Sequence, residues 1–128
     1  MSTPSILCIE DEADVSSLVS HLLTREGYRV ETAATGREAM AKIGKSHPAL
    51  ILLDLMLPDI DGFALCEILR HDLRTATIPI MLLSGWSSPE SRHVGLELGA
   101  LDYVVKPFSP RDLVRRVKRL MELRPASA

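Results

Sequence analysis

Short apolar runs alternate along the chain with longer segments in which apolar residues recur at helical spacing. The pattern predicts five strand–helix units. The apolar runs predict strands at Ser5–Ile9, Tyr28–Ala33, Ala49–Leu53, Ile78–Leu83 and Leu101–Val105. Polar residues or turn-forming residues end these runs abruptly, as Asp54 does after the third. Strands that alternate with helices over this length predict an α/β domain built on a parallel sheet.

Helix start and stop signals lie between the predicted strands. The first helix begins at Ala13 and stops before Gly27, with an apolar stripe at Val15, Leu18, Val19, Leu22 and Leu23. Thr35 and Glu38 form a capping box that opens a second helix, whose predicted buried residues are Ala39, Met40 and Ile43.

A third helix is predicted from Leu65, Ile68 and Leu69. Ser88 and Pro89 open a fourth, which has a weak apolar stripe and an internal Gly95. Ser109, Pro110 and Asp112 open the fifth, with Leu113, Val114, Val117, Leu120 and Met121 on one face.

The apolar pattern also predicts the strand order. Strands buried on both faces should be apolar throughout, as those starting at Ser5, Ala49 and Ile78 are. The strand at Tyr28 alternates and the strand at Leu101 carries Asp102, so both suit sheet edges. These edges predict a flavodoxin-like (βα)5 three-layer sandwich with strand order 2-1-3-4-5. Residues 1–128 are expected to form one domain, with a core of about 5–123 and a tail or truncated linker at 124–128.

Composition narrows the class of protein further. The chain has 128 residues, 46% hydrophobic and 25% charged, which suits one globular domain. No signal peptide or membrane-length apolar run is visible, and Cys8 and Cys66 lie in apolar segments without metal or redox spacing. Reduced core cysteines indicate a cytoplasmic protein. A formal charge of −2 gives no reason to expect direct nucleic-acid binding.

Polar side chains follow four of the five predicted strands. Glu10 and Asp11 follow the first, Asp54 the third, Ser84 the fourth and Lys106 the fifth. In an open α/β sheet, ligands bind beyond the carboxyl ends of the strands, so these side chains should share one crevice. Three carboxylates there need a cation, and oxygen ligands suit magnesium. With a fixed lysine and a hydroxyl, the set predicts phosphoryl transfer onto Asp54, which would become an aspartyl-phosphate.

With these residues in their order, the sequence resembles the receiver domains of two-component response regulators over roughly Ile6 to Leu123. The resemblance is carried by Glu10–Asp11, the block from Asp54 to Gly62 (DLMLPDIDG), Ser84–Gly85, Asp102–Tyr103 and Lys106–Pro107–Phe108. Each motif is weak alone, but together at successive strand ends they are specific. The acidic pair is Glu-Asp where Asp-Asp is usual, and Leu101 stands where many members carry an acidic residue.

The resemblance implies a role for each matching residue. Asp54 would accept a phosphoryl group from a histidine kinase or phosphotransfer protein. Asp11 and Asp54 would bind Mg²⁺, or Mn²⁺ in its place, with Glu10 acting through water and the Met56 carbonyl as a further ligand. Ser84 would bind a phosphoryl oxygen, and Lys106, before a cis Pro107, would pair with the phosphate. Tyr103 would move inward as Ser84 moves. Such a domain is a signalling switch and not a turnover enzyme.

Beyond the phosphoryl donor, the resemblance does not fix the binding partners of the domain. A surface formed by the fourth helix, fifth strand and fifth helix could serve a homodimer, as in winged-helix transcription factors, although Leu101 weakens this case. The basic residues Arg111, Arg115, Lys118 and Arg119 are interpreted as a solvated helix face, and Glu12 as a solvated turn residue. A downstream output domain would lie outside these residues. No membrane partner is expected.

Two other functions remain open from the sequence. The domain could be an unphosphorylated docking module, since a complete site does not show that the site is used. It could also resemble haloacid-dehalogenase-like phosphatases, which use a strand-end Asp with magnesium. Those enzymes need a second Asp two residues later as acid/base, where this chain has Met56.

Overall fold

The computed structural model describes residues 3–123 and forms five strands and five helices in strict alternation. The strands are β1 (Ser5–Ile9), β2 (Arg29–Ala33), β3 (Leu50–Asp54), β4 (Ile80–Ser84) and β5 (Asp102–Val105). The helices are α1 (Ala13–Arg25), α2 (Gly36–Ser46), α3 (Gly62–His71), α4 (Pro89–Glu97) and α5 (Pro110–Leu123). None of the helices described is long and apolar enough to cross a bilayer. The predicted tail at 124–128 lies outside the described residues.

All five strands are parallel, in the order β2-β1-β3-β4-β5. The predicted flavodoxin-like order is therefore confirmed, with β2 and β5 at the edges. Strands β3 and β4 are buried at every residue, while β2 keeps partly exposed positions, as its alternating sequence predicts. Parallel strands place all carboxyl ends at one edge of the sheet, and this edge carries the chemistry.

Two apolar cores lie on opposite faces of the sheet. Consecutive strand residues such as Ile6 and Leu7 belong to different cores because side chains on a strand alternate between its faces. Helices α1 and α5 pack on one face through residues that include Val19, Leu23 and Val117. Helices α2 and α3 pack on the other face, where Ile43 and Leu65 are among the buried residues. The three-layer sandwich is confirmed.

Several details differ from the pattern-based predictions. Strand β2 begins at Arg29 because the Tyr28 amide instead donates to the Leu23 carbonyl and closes α1. Strand β4 begins at Ile80, since the Ile78 amide closes a turn on Thr75 and Pro79 has no amide hydrogen to donate.

The predicted apolar faces of α1, α2 and α3 each differ from the structure at one residue. In α3 the buried set is Gly62, Leu65, Cys66 and Leu69, at helical spacing, and Ile68 lies to one side, 46% exposed. Met40 is only partly buried in α2, and Leu18 of α1 is exposed at the edge of the crevice described below.

Both cysteines are buried and free, as predicted. Burial is the main cause that raises the pKa of the Cys8 thiol to about 12, and the nearby Glu10 carboxylate adds to it. Burial also raises the pKa of Cys66. Because only the thiolate is nucleophilic, both side chains are protected by protonation as well as by access.

We therefore expect neither thiol to react with an alkylating or disulfide reagent in the folded protein at pH 8. In denaturant both thiols should react at the rate of an ordinary cysteine peptide, since the unfolded pKa is near 8.5. Thiol titration in buffer and in guanidinium chloride measures this difference. Fast reaction of one thiol without denaturant would contradict the burial of that residue.

Asp59, in the loop after β3, caps helix α2 from a distance in sequence. Its two carboxylate oxygens accept hydrogen bonds from the amides of Gly36 and Arg37, at 2.8 and 3.0 Å. Thr35 caps the same helix through the Glu38 amide, as the capping box predicts. The two amide bonds hold the pKa of Asp59 below its usual range. The loop that follows the phosphoacceptor candidate is therefore tied to α2.

This cap predicts a pH-dependent contribution to stability. Because the folded pKa of Asp59 lies below the unfolded value near 4, its stabilisation is complete at pH 7. It is lost as the pH falls through the folded pKa. Urea unfolding of wild type and Asp59→Asn should show a stability difference at pH 7 that shrinks at pH 3 and below. A difference of constant size across this range would show that the charge of Asp59 does not contribute.

Candidate functional site

The carboxyl ends of four neighbouring strands bring the predicted site residues together. Asp54 and Ser84 are the last residues of β3 and β4, and Glu10 and Lys106 directly follow β1 and β5. The register pairs Asp54 with Leu83 and Ser84 with Val105, so these ends lie at the same level. The sheet topology thus assembles the crevice that the sequence predicts.

Three carboxylates form the floor of this crevice. Oxygen atoms of Glu10, Asp11 and Asp54 lie within 4.8 Å of one another, with Glu10 and Asp54 buried and Asp11 exposed. Asp54 Oδ1 accepts a hydrogen bond from the Met56 amide at 3.2 Å. Asp54 Oδ2 is buried and has no hydrogen-bond partner within residues 3–123. Buried polar atoms rarely stay unpaired, so this oxygen is suited to an incoming ligand.

The donor set fits a hard divalent cation. All three groups offer oxygen ligands, one of them exposed to solvent, which matches the partly hydrated way in which Mg²⁺ binds proteins. Burial raises the pKa of the Glu10 carboxyl well above its usual range, although Lys106 works against this rise. A bound cation would favour the ionised form of Glu10 and relieve the repulsion within the cluster.

Lys106 is the positive group at the edge of the cluster. Its Nζ lies 2.5 Å from Glu10 Oε1, 3.1 Å from Glu12 Oε1 and 3.4 Å from Asp54 Oδ1. Burial works against the charged ammonium, but these carboxylates outweigh it and raise the pKa of Lys106. The Lys106–Pro107 peptide bond is cis, as the family resemblance implies.

Ser84 and Tyr103 meet at the backbone of one residue, Trp86. The Trp86 amide donates to Ser84 Oγ at 2.9 Å, and the Tyr103 hydroxyl donates to the Trp86 carbonyl at 2.7 Å. Tyr103 is buried, and the Arg92 guanidinium lies 5.7 Å from the centre of its ring. Tyr103 therefore lies in the inward position, and its predicted movement with Ser84 stays a prediction.

A groove with a volume of about 690 Å³ leads to Asp54 and Lys106. Its walls are mostly apolar, from α1, the loops after β3 and β4, and the segment after Lys106. The apolar lining residues are Val15, Leu18, Met56, Trp86, Pro107 and Phe108. Met56 exposes its side chain here, and the predicted role of its carbonyl as a metal ligand stays a prediction.

The interpretation of Glu12 as a solvated turn residue is wrong in one respect. Its side chain is 62% exposed, yet its carboxylate accepts a hydrogen bond from Lys106. The two residues are 94 positions apart, and no sequence pattern links them. The exposed basic face of α5 fits its solvated interpretation, with Arg115 paired to Asp112 and Lys118 to Glu26.

Gly62 allows the loop after β3 to close tightly behind the site. A Cβ atom there would lie 2.4 Å from Leu55 Cα and 2.8 Å from the Asp54 carbonyl oxygen. Both obstacles are backbone atoms that cannot rotate away. Any side chain at position 62 would therefore push on the strand end that carries Asp54.

We expect Gly62→Ala to destabilise the fold by about 1–3 kcal/mol, the usual cost of overpacking. Gly44→Ala is the matched control, because Gly44 lies within α2 with open space around its Cβ position. That variant should stabilise the protein by about 0.5–1 kcal/mol. Denaturant unfolding of both variants provides the comparison, and an equally stable Gly62→Ala protein would exclude the close backbone approach.

A flavodoxin-like sheet with paired acids, a strand-end aspartate, a hydroxyl and a lysine at one edge defines a class of phosphoryl-accepting signalling domains. In a comparison with known protein families, the sequence model of the response regulator receiver domain matches residues 6–118 of this chain. The chain belongs to this family.

Relatives and solved structures agree with the assignment. The transcriptional regulatory protein GltR of Pseudomonas aeruginosa is 41% identical over 117 residues, 91% of this chain and 48% of that protein. The master transcriptional regulator RpaA of Synechocystis is 42% identical over 118 residues, 92% of this chain and 49% of that protein. The chain thus spans about half the length of these relatives. The chemotaxis response regulator CheY4 of Vibrio cholerae superposes with a TM-score of 0.87 at 35% identity, covering 93% of this chain and 99% of CheY4.

Proposed function

We propose that this domain is a phosphorylation-dependent signalling switch whose phosphoryl acceptor is Asp54. The observation that carries the proposal is the buried Asp54 carboxylate. One of its oxygens lacks a hydrogen-bond partner within residues 3–123 and the other lies 3.4 Å from Lys106 Nζ. Receiver domains are signalling modules, and the domain would catalyse only its own phosphorylation and dephosphorylation.

The donor would be a phosphohistidine of a histidine kinase or phosphotransfer protein. An Asp54 oxygen attacks phosphorus as the phosphorus–nitrogen bond breaks, and the electron pair returns to the imidazole, which regains neutrality by taking up a proton. Glu10, Asp11 and Asp54, with the Met56 carbonyl, would hold Mg²⁺ or Mn²⁺. The cation would neutralise charge on the phosphoryl oxygens. Lys106 and Ser84 would bind phosphoryl oxygens that are not bonded to Asp54.

The surface formed by α4, β5 and α5 is where we expect the switch to act. Gly95 is the one buried residue within α4, and Val94 and Leu96 are exposed, so this helix is held by few apolar contacts. Such elements open or shift at low cost. Ser84 and Tyr103 both bind the Trp86 backbone, which links the phosphoryl site to the start of α4.

The partners follow from this assignment. We propose that residues 1–128 form one receiver domain in a cytoplasmic regulator and that an output domain lies outside this chain, as the lengths of the curated relatives suggest. A homodimer through α4, β5 and α5 is a further hypothesis, supported by the exposed Val94 and Leu96 of α4 and weakened by Leu101, which stands where many family members carry an acidic residue. Direct nucleic-acid binding by this domain is not proposed.

The proposal is tested by measuring the intact mass of the protein after incubation with acetyl phosphate, with and without Mg²⁺. Wild type should gain one phosphoryl group in a Mg²⁺-dependent reaction, and Asp54→Asn should gain none. Asp59→Asn is the matched control, because it removes a carboxylate of the same loop that caps α2 and should still be phosphorylated.

Two outcomes would contradict the proposal. If wild type gains no phosphoryl group and beryllofluoride leaves Trp86 fluorescence unchanged, the unphosphorylated docking module is the better explanation. If the protein hydrolyses a phosphate monoester with turnover that Asp54→Asn abolishes, it is a phosphatase. The exposed Met56 argues against this second outcome, since it offers no acid/base group two residues after Asp54.

A further inference from the structure

Three carboxylates surround the single ammonium group of Lys106. Its Nζ is 2.5 Å from Glu10, 3.1 Å from Glu12 and 3.4 Å from Asp54. A lysine ammonium has three hydrogen-bond donors and no more. The Lys106 side chain is only 15% exposed, so little room remains for water on it. Among these three carboxylates, Glu12 is the one that accepts a hydrogen bond from Nζ. A phosphoryl group carried on Asp54 brings its own oxygens to the same ammonium, so it competes with Glu12 for a donor.

Glu12 differs from the other two carboxylates in its surroundings. Glu10 and Asp54 are buried, whereas the Glu12 side chain is 62% exposed. The Glu12 backbone is held independently, because its amide donates to Glu10 Oε2 at 3.1 Å. Its side chain makes no capping hydrogen bond to α1. The Glu12 carboxylate can thus return to water with neither a buried charge nor a helix cap left behind.

We propose that Glu12 is a positioning residue that holds Lys106 in the unphosphorylated domain and is displaced when a phosphoryl group enters the site. The inference rests on the proposed function of Asp54. A phosphoryl group adds three acceptor oxygens and nearly two negative charges, so it demands a donor from Lys106. Glu12 competes for that donor and lowers the affinity of the site for the phosphoryl group.

Beryllofluoride, an analogue of the phosphoryl group on aspartate, is the probe that tests this competition. Its binding at saturating Mg²⁺ can be followed by Trp86 fluorescence, because Trp86 lines the groove and its backbone amide donates a hydrogen bond to Ser84 Oγ. Glu12→Ala should bind beryllofluoride about two- to fivefold more tightly than wild type, the range for loss of an exposed ion pair. A merely structural role would weaken binding instead.

Two variants separate the contact from the charge. Asp14→Asn removes an exposed carboxylate in the first turn of α1, two residues from Glu12, and should bind beryllofluoride like wild type. Glu12→Asp keeps the charge but is one methylene shorter, so it should lose much of the hydrogen bond to Lys106 and resemble Glu12→Ala. If Asp14→Asn tightens binding as much as Glu12→Ala, the effect is general electrostatics and the inference is wrong.

The controls also distinguish this inference from the proposed function. If wild type and every variant fail to bind beryllofluoride or to accept a phosphoryl group, the function of Asp54 is wrong. If wild type binds the probe and Glu12→Ala binds equally or less tightly, the proposed function stands and only the role of Glu12 is rejected. Mg²⁺ titration without fluoride checks that each variant is saturated with the cation.

Discussion

The concentration of negative charge at one edge of the sheet is the constraint on which this domain depends. Glu10 and Asp54 are buried side by side, and Lys106 alone among the described basic residues contacts both. Burying like charges is costly unless a cation neutralises them. The lysine offsets part of this cost, but the compensation is incomplete, because one buried oxygen of Asp54 has no hydrogen-bond partner in the described part of the chain. A site that is left under-neutralised in this way has the donor set that suits a divalent cation.

The sheet makes this arrangement possible because it fixes the strand ends rigidly while leaving the loops free to vary. Both faces of the central strands are covered by apolar cores, so Asp54 and Ser84 are anchored by the most buried part of the molecule. Helix α4, in contrast, packs mainly through Gly95, whose Cβ position would contact Leu82 at 2.6 Å. Buried contacts are therefore concentrated next to the site, and α4 beside it has few of them.

The fold could be predicted because strand and helix periods are local properties of the sequence. Apolar runs and caps identified every element, and the composition of β2 and β5 identified the edges. Errors and omissions arose where a single hydrogen bond, and not a repeating pattern, decided the outcome. The Tyr28 amide closes α1 and so shortens β2, and Asp59 caps α2 from a distant loop. At the site, strand-end residues were predictable, but the bond from Lys106 to Glu12 was not, because a side-chain contact across 94 positions leaves no periodic signal.

The same separation bears on how the domain folds. The acidic residues at the ends of β1 and β3 lie in the first half of the sequence, whereas Lys106 follows the last strand. In a sheet without β5 paired to β4, these carboxylates would lie together without their ammonium partner. Contacts between distant segments also slow folding. The charge balance of the site is therefore complete only in a sheet in which β5 is paired with β4 and Lys106 lies beside Glu10 and Asp54.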